Sequence, residues 1–404
     1  MKIKPTSEKA KSASKVSSRS HLGERVPRLR FPGFEGEWKE RCLETFMSSR
    51  DERQVPSPDA PLMAFIANLG VAPKGERYDR EYLVKSKDKE YKRTEFNDFI
   101  YSSNNLDVGS IGLNKYGRAV ISDVYEIFTV KDDYAPEFIS ELVQRPRNLH
   151  KVLRFRQGCL YGQYRIYASD FLNVKLLAPD KEEQFKIAGF LHQIDSRITA
   201  QRKLVELLKK HKRGLLREVF EEKIDGDCYS FSEIASRRNE KIAPTKDSCL
   251  DCIELEHIEP ETGMLLGCVP LNGQNSLKNL CKPSDIVFGK LRPYLRKFVF
   301  AENECAVSSE TWVLTAVDGI YPKFLFYLIQ SEPFMRAASV SSGTKMPRSE
   351  WSNVANAKFY VPNRMQQEII AACFSEIDSR ILASQRILTA AQAYKRGLLQ
   401  QIFV

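Results

Sequence analysis

The sequence predicts an α+β fold, in which two mixed α/β domains are joined by two long antiparallel coiled-coil helices about a pseudo-twofold axis. Three observations lead there. A segment from Pro179 to Phe220 returns, without a gap, 183 positions later as Pro362 to Phe403. Both copies carry the same heptad pattern of apolar residues. The stretches preceding each copy share a fainter likeness. A long unit that returns once indicates duplication of one large module rather than a solenoid of small ones.

The duplicated segment is the clearest element. Ile194-Asp195-Ser196-Arg197-Ile198 falls on Ile377-Asp378-Ser379-Arg380-Ile381, and Lys212-Arg213-Gly214-Leu215-Leu216 on Lys395-Arg396-Gly397-Leu398-Leu399. In the first copy Ile187, Leu191, Ile194, Ile198, Val205, Leu208, Leu215 and Val219 follow alternating steps of four and three, interrupted at Gln201 and Lys212. In the second, Ile370, Phe374, Ile377, Ile381, Leu388, Ala391, Leu398 and Ile402 hold the same phases. This is the a/d seam of helices that pair along their length. The polar interruptions coincide too: Gln201 matches Ser384, and Lys212 matches Lys395. Asp180 and Asn363 stand at the N-cap, with Glu183 and Gln366 three residues on, the spacing of a capping box. A helix of about forty residues rises roughly 60 Å. The first copy leads out of one domain and the second starts from the other, so seams that meet must run antiparallel, giving a rod with a domain at each end.

Composition sets the class. The 404 residues suffice for two or three domains with real cores. A formal charge of +10 and a pI near 9.0 favour an acidic partner such as nucleic acid. Nine cysteines without small-scaffold spacing read as reduced thiols in a cytoplasmic protein. No apolar run reaches the length of a membrane span. Residues 1–25 form a flexible basic tail, since Met1 to Ser20 is rich in Lys and Ser and lacks the apolar core of a signal peptide.

In chain order, a first mixed domain occupies 26–179, opening with Arg30-Phe31-Pro32-Gly33-Phe34 and Trp38. Leu62–Ala67, Asp98–Tyr101, Ala119–Ile121 and Glu126–Val130 read as strands, and Phe138–Gln144 as a helix. The first long helix covers 180–222. A second mixed domain covers 223–361, with strands at Cys252–Leu255, Asp285–Phe288, Phe298–Phe300 and Thr311–Thr315 and a helix at Pro322–Ile329. The second long helix covers 362–404. At an offset of 187, Asp98 meets Asp285, Ala119-Val120 meets Ala306-Val307 and Ser122 meets Ser309. The scaffold is shared while the loops differ, so the two domains would read different sequences.

Signals for catalysis are poor. No Asn/Asp-Pro-Pro-aromatic box of adenine methyltransferases occurs. Glu76 stands where a phosphate loop beginning at Gly70 would need lysine. Asp59, Glu90 and Lys92 can be forced into the carboxylate pattern of restriction nucleases, leaving an autonomous endonuclease as one alternative. Cys249-x-x-Cys252, with Cys268 and Cys281 beyond, has half the spacing of a zinc knuckle, against a plainer reading as buried or half-buried thiols.

The positive signals are basic, aromatic loops. The second domain offers Lys290, Arg292, Tyr294, Arg296 and Lys297 directly after a strand, then Thr344, Lys345 and Arg348 in a second loop. The first offers Asn114, Lys115 and Tyr116, then Arg156, Gln157, Gln163, Tyr164 and Arg165. Arg, Asn and Gln pair bidentately with base edges, and Lys neutralises phosphate. Each loop alone is an ordinary solvated turn; recurrence at matching places in both domains points to DNA. A coiled-coil scaffold without a nucleic-acid role is the other alternative.

Together these residues resemble the specificity subunits of type I restriction-modification systems. The resemblance rests on the Arg30-Phe31-Pro32-Gly33-Phe34…Trp38 opening and on Gln366-Gln367-Glu368-Ile369-Ile370. It also rests on the two Ile-Asp-Ser-Arg-Ile and Lys-Arg-Gly-Leu-Leu repeats, on Lys290-Leu291-Arg292-Pro293 and on Ser342-Gly343-Thr344. It implies two target-recognition domains that read an asymmetric, bipartite site on double-stranded DNA, in a chain that is not itself an enzyme. It further implies two modification (methyltransferase) subunits carrying S-adenosylmethionine and two restriction (motor-nuclease) subunits using ATP and Mg²⁺. No cofactor or metal is then expected on this chain. The first domain departs from the pattern: Asn104-Asn105-Leu106-Asp107 sits where the second domain has its Lys-Leu-Arg-Pro loop. On this reading helix length sets the spacer between half-sites. Inserting one heptad in the first helix should lengthen it by about 10 Å and the preferred spacer by about three base pairs. Selection from DNA pools with varied spacers measures this, and an unchanged spacer would refute the ruler.

Overall fold

The computed structural model describes residues 25–66, 70–73, 88–102, 106, 110–160, 163–221, 225–340 and 346–404. The chain divides into two compact units. One comprises residues up to Ile198 together with Ala391–Val404, and the other Thr199–Ala390. Both divisions fall inside long helices, so each unit owns part of each.

In the first unit a four-stranded sheet has the order Met47–Ser49, Tyr125–Val130, Phe99–Ser102, Ile111–Leu113. A three-stranded sheet pairs Arg53–Gln54, Tyr91–Thr94 and Ala119–Ile121. Lys39–Cys42 pairs with Lys175–Ala178, in register Lys39 with Ala178. Helices Pro136–Gln144, Pro146–Leu153 and Ala168–Leu172 close the layer. The core is aromatic: Tyr101 and Phe128 stack, and Phe171 packs against Phe99, Tyr101 and Phe128 with ring centroids 4.7–5.7 Å apart. Edge and stacked pairs at such distances add to the gain from burying large rings.

The second unit repeats this order. Ala235–Arg237, Thr311–Ala316, Ile286–Gly289 and Phe298–Phe300 form its four-stranded sheet. Lys241–Ile242, Lys278–Cys281 and Cys305–Val307 reproduce the three-stranded one, extended by Asp251–Ile253 and Val269–Pro270. Asp227–Ser230 pairs with Lys358–Val361, and the three helices return as Pro322–Leu328, Glu332–Ser339 and Trp351–Ala355. The likeness seen at offset 187 is therefore a duplicated fold.

The repeated aspartates explain why that likeness survived. Asp98 is buried and accepts from Glu95 N (2.7 Å), while Arg50 Nε lies 2.9 Å from Oδ2 and Thr129 Oγ1 3.3 Å from Oδ1. Asp285 is equally buried. It accepts from Lys282 N (2.8 Å), Arg238 Nε (2.7 Å) and Thr315 Oγ1 (2.7 Å). Burial pushes the Asp98 carboxyl up, opposed by the Glu95 amide and Arg50. A buried carboxylate persists only with such partners. The pattern is a lock between neighbouring segments of the sheet.

The long helices span Lys181–Glu221 and Arg364–Ile402. In the first unit Ile187, Leu191 and Ile194, early in one helix, join the core cluster of Leu398, Leu399 and Ile402, late in the other. In the second unit the late residues Leu216 and Val219 join the early residues Ile370, Ala371, Phe374 and Ile377. Within each unit the two helices thus run antiparallel. Ile198, Val205 and Ile381 are buried, and Leu208 and Leu388 half-buried. The buried stripe is wider than an a/d seam, taking in Leu216 and Leu399, because each helix also packs on its own module. The polar interruptions answer one another. Gln201 Nε2 donates to Ser384 O (3.0 Å), Lys212 Nζ lies 2.7 Å from Asp378 Oδ1, and Lys395 Nζ lies 2.8 Å from Asp195 Oδ1.

The capping boxes are only partly realised. Asn363 Oδ1 accepts from Gln366 N (3.0 Å), as expected. Asp180 instead faces Arg41 (2.7 Å), and Glu183 is drawn inward by Arg30, with contacts of 2.8 and 2.7 Å. The fork of an arginine matches a carboxylate better than a single amide does. The opening motif thereby fastens the start of one helix. It also meets the end of the other, through Leu29 N donating to Gln401 O (3.0 Å) and Trp38 edge-on to Phe403.

Candidate nucleic-acid interface

In the second unit the two cationic loops, some fifty positions apart in sequence, are joined. Arg292 N donates to Pro347 O (2.8 Å), Ser349 N to Lys290 O (2.8 Å), and Leu291 and Arg348 form a β-bridge. Glu310 organises the junction: its carbonyl accepts from Lys290 N (3.1 Å), and its carboxylate holds Arg348 at 3.1 and 3.2 Å. Arg292 and Arg296 both adopt left-handed backbone angles (φ 52° and 50°) on either side of the turn Pro293–Leu295. That turn pushes Tyr294 outward, 59% exposed, while Pro293 is buried beneath it. The Cβ of non-glycine residues makes this backbone costly, so the contacts with the second loop hold the turn.

Not every predicted contact residue of this loop faces outward. Arg292, Tyr294 and Arg348 are exposed and Lys290 is half-buried. Arg296 instead binds Glu332 Oε1 (2.6 Å) and Gln330 O (2.7 Å), and Lys297 Nζ donates to Leu255 O (2.6 Å). Both are half-buried and act as fasteners of the loop, which corrects their assignment. Thr344 and Lys345 lie outside the described residues. Neither Glu310 nor Arg237, whose guanidinium lies over the Trp351 ring at 4.8 Å, carries a signal in the sequence. Such pairs are distant in sequence and carry no local signature.

In the first unit the hairpin Gln157–Leu160/Gln163–Arg165 carries four of the eight expected residues, with Arg156 directly before it. Arg156 stacks over exposed Tyr164 (5.5 Å), Arg165 over Tyr167 (5.0 Å), and Arg165 also reaches Glu126 (3.3 Å). Gln157 Nε2 donates to Asp170 Oδ2 (2.6 Å). The side chain of Gln163 lies outside the description. Asn114 is a second correction. It is fully buried and donates to Thr94 Oγ1, Glu95 O and Gly117 O at 2.7–3.1 Å, while its Oδ1 accepts from Tyr116 N and Gly117 N. It pins the turn and has no group left for a base edge. Lys115 is exposed but paired with Glu137, and Tyr116 is 48% exposed.

The matching of loops between units also changes. The hairpin and the 346–350 loop both precede the short helix that leads to the last strand of their unit. The turn Asn114–Arg118, however, follows the strand Ile111–Leu113, whose counterpart Phe298–Phe300 leads into Ala301-Glu302-Asn303-Glu304. By strand order Lys290–Lys297 corresponds to the connection between Phe99–Ser102 and Ile111–Leu113, where the sequence comparison sets Asn104-Asn105-Leu106-Asp107; only Leu106 and Ser110 of it are described. Charge does not follow strand order.

The nuclease constellation is not assembled. Lys92 is buried 2.9 Å from Glu126, whereas Asp59 and Glu90 are exposed. Among the described residues no group of three His, Cys, Asp or Glu side chains is gathered as for a metal ion. Cys249 and Cys268 are exposed while Cys252 is buried, so the knuckle spacing has no shared centre. No helix among the described residues is long and apolar enough to cross a membrane.

Comparison with known proteins agrees with the motifs. No family model matches the chain. A type I restriction enzyme specificity subunit of Methanocaldococcus jannaschii is 24% identical over 243 residues, covering 52% of this chain and 57% of that protein. The chain is similar to type I restriction specificity subunits. It spans little more than half the length of this relative. The solved S subunit of the type I restriction-modification system from M. genitalium has the same fold, with TM-score 0.58 at 14% identity over 94% of this chain and 99% of that one. A chain from work on complex assembly and conformational transition of the type I R-M system gives 0.51 at 16% identity, over 93% and 98%.

Proposed function

We propose that this chain is the DNA-recognition component of a type I restriction-modification complex and performs no bond-making step itself. The observation that carries this is the junction of two cationic loops in the second unit, which presents Lys290, Arg292, Tyr294 and Arg348 on one supported surface. A duplicated module whose other copy offers a different hairpin suits an asymmetric, bipartite site on double-stranded DNA. The finer assignments rest on the resemblance. Two modification subunits would supply S-adenosylmethionine and methylate an adenine flipped from the stack. Two restriction subunits would use ATP and Mg²⁺, all in the cytoplasm.

The test is selection of bound sequences from a random duplex pool, using the chain assembled with its modification subunits. Arg292→Ala is expected to cost about 1–3 kcal/mol and to relax preference in one half-site only, as removal of a base-edge contact does. A loss equal for every sequence would make Arg292 a phosphate contact. Absence of any selected sequence with the unaltered chain would refute the reading.

A further inference from the structure

Cys281 and Cys305 face each other across two antiparallel strands, Lys278–Cys281 and Cys305–Val307, as register partners. Cys281 is 0% and Cys305 6% exposed, within the cluster of Ile253, Val287, Val299, Val307 and Val313. Directly opposed antiparallel residues hold their Cα atoms about 4.5–5.5 Å apart, inside the roughly 4.4–6.8 Å range that a disulfide spans. Both are free thiols. The chain between them is the hairpin Ile286–Gly289/Phe298–Phe300, with the Lys290–Lys297 loop at its tip.

We propose that Cys281 and Cys305 form an oxidation site for a hydroperoxide, which converts the pair into a disulfide that staples the base of this hairpin. The two thiols differ in exposure, which orders the steps: Cys281 is fully buried, whereas Cys305 is 6% exposed. The neighbouring Cys305 and burial raise the Cys281 thiol, while Cys281 lowers that of Cys305 against the effect of burial. Cys305 gives up its proton and its thiolate attacks one peroxide oxygen; the S–O bond forms, the O–O bond breaks, and the leaving hydroxide takes up that same proton as water. Cys281 Sγ then attacks the sulfenic sulfur. The S–S bond forms, the S–O bond breaks, and a second water leaves with the Cys281 proton. Two thiols lose two electrons and the peroxide gains them. This chemistry is independent of the DNA reading, although the stapled segment carries its proposed contacts.

The experiment treats the folded full-length chain with hydrogen peroxide, blocks remaining thiols and maps linked peptides by mass spectrometry without reductant. The expected product joins the Cys281 and Cys305 peptides with the loss of two hydrogens. It should raise the unfolding temperature on the order of 5–10 °C over the reduced chain. In Cys281→Ser, Cys305 should stop at the sulfenic acid, which a cyclic 1,3-diketone traps; in Cys305→Ser, Cys281 should stay reduced. Unlinked Cys281 and Cys305 peptides in unaltered chain whose exposed Cys249 and Cys373 have oxidised would overturn the proposal. So would a link that leaves the unfolding temperature unchanged.

Discussion

Replacing Asp378 by alanine is expected to destabilise the protein by about 3–5 kcal/mol, the usual cost of stranding one member of a buried ion pair. Lys212 occupies a seam position of the first long helix and its side chain is 4% exposed. Its ammonium lies 2.7 Å from Asp378 Oδ1 and sits over the Tyr327 ring. Burial holds the Lys212 pKa below its ordinary value, and Asp378 opposes that shift. Removing Asp378 must therefore depress it further. The sign of the pH dependence follows. Between the depressed value and the ordinary lysine value near 10, the unfolded chain binds more protons than the folded one, so stability rises with pH. The deficit of Asp378→Ala should accordingly shrink between pH 7 and pH 9.5 in denaturant titrations. A loss below about 1 kcal/mol, or one constant with pH, would show that water reaches Lys212 and that the pair is not a true buried contact.

DNA binding by the assembled chain should fall by about 10³–10⁵ between 50 and 200 mM salt, if six to ten phosphates are neutralised. The described surfaces supply cations for such contacts: Lys290, Arg292 and Arg348 in the second unit, and Lys115, Arg156 and Arg165 in the first. Several are already paired with Glu310, Glu137 or Glu126. They must exchange a carboxylate for a phosphate, which lowers the affinity gained without removing the release of counterions from DNA. Fluorescence anisotropy of a labelled duplex over a salt series gives the slope directly. Negligible binding that stays flat with salt, even with modification subunits present, would favour a coiled-coil scaffold over a DNA reader.

The difference between what was legible and what was not has a physical basis. The long helices were legible because an a/d seam repeats locally, and the polar interruptions at Lys212 and Lys395 showed that the two copies shared one design. The repeated Asp98 and Asp285 were visible, but their Arg50 and Arg238 partners were not, since those contacts cross between strands. Charged loops could be found by composition, yet composition cannot say which cation is free. Asn114, Arg296 and Lys297 had the right chemistry for DNA and proved to be committed to turns and backbone carbonyls within the protein.

By itself, the sequence determined the duplication, the two helices, their antiparallel sense and the mixed class of the modules. Each of these follows from periodicity or from repetition along the chain. Only the tertiary structure decided that residues 290–297 and 346–350 form one surface. It also showed that the turn after Ile111–Leu113 has no basic counterpart, and that Cys281 faces Cys305. Those facts depend on which strands become neighbours, and pairing between distant strands is set by the packing of the whole module rather than by any local pattern.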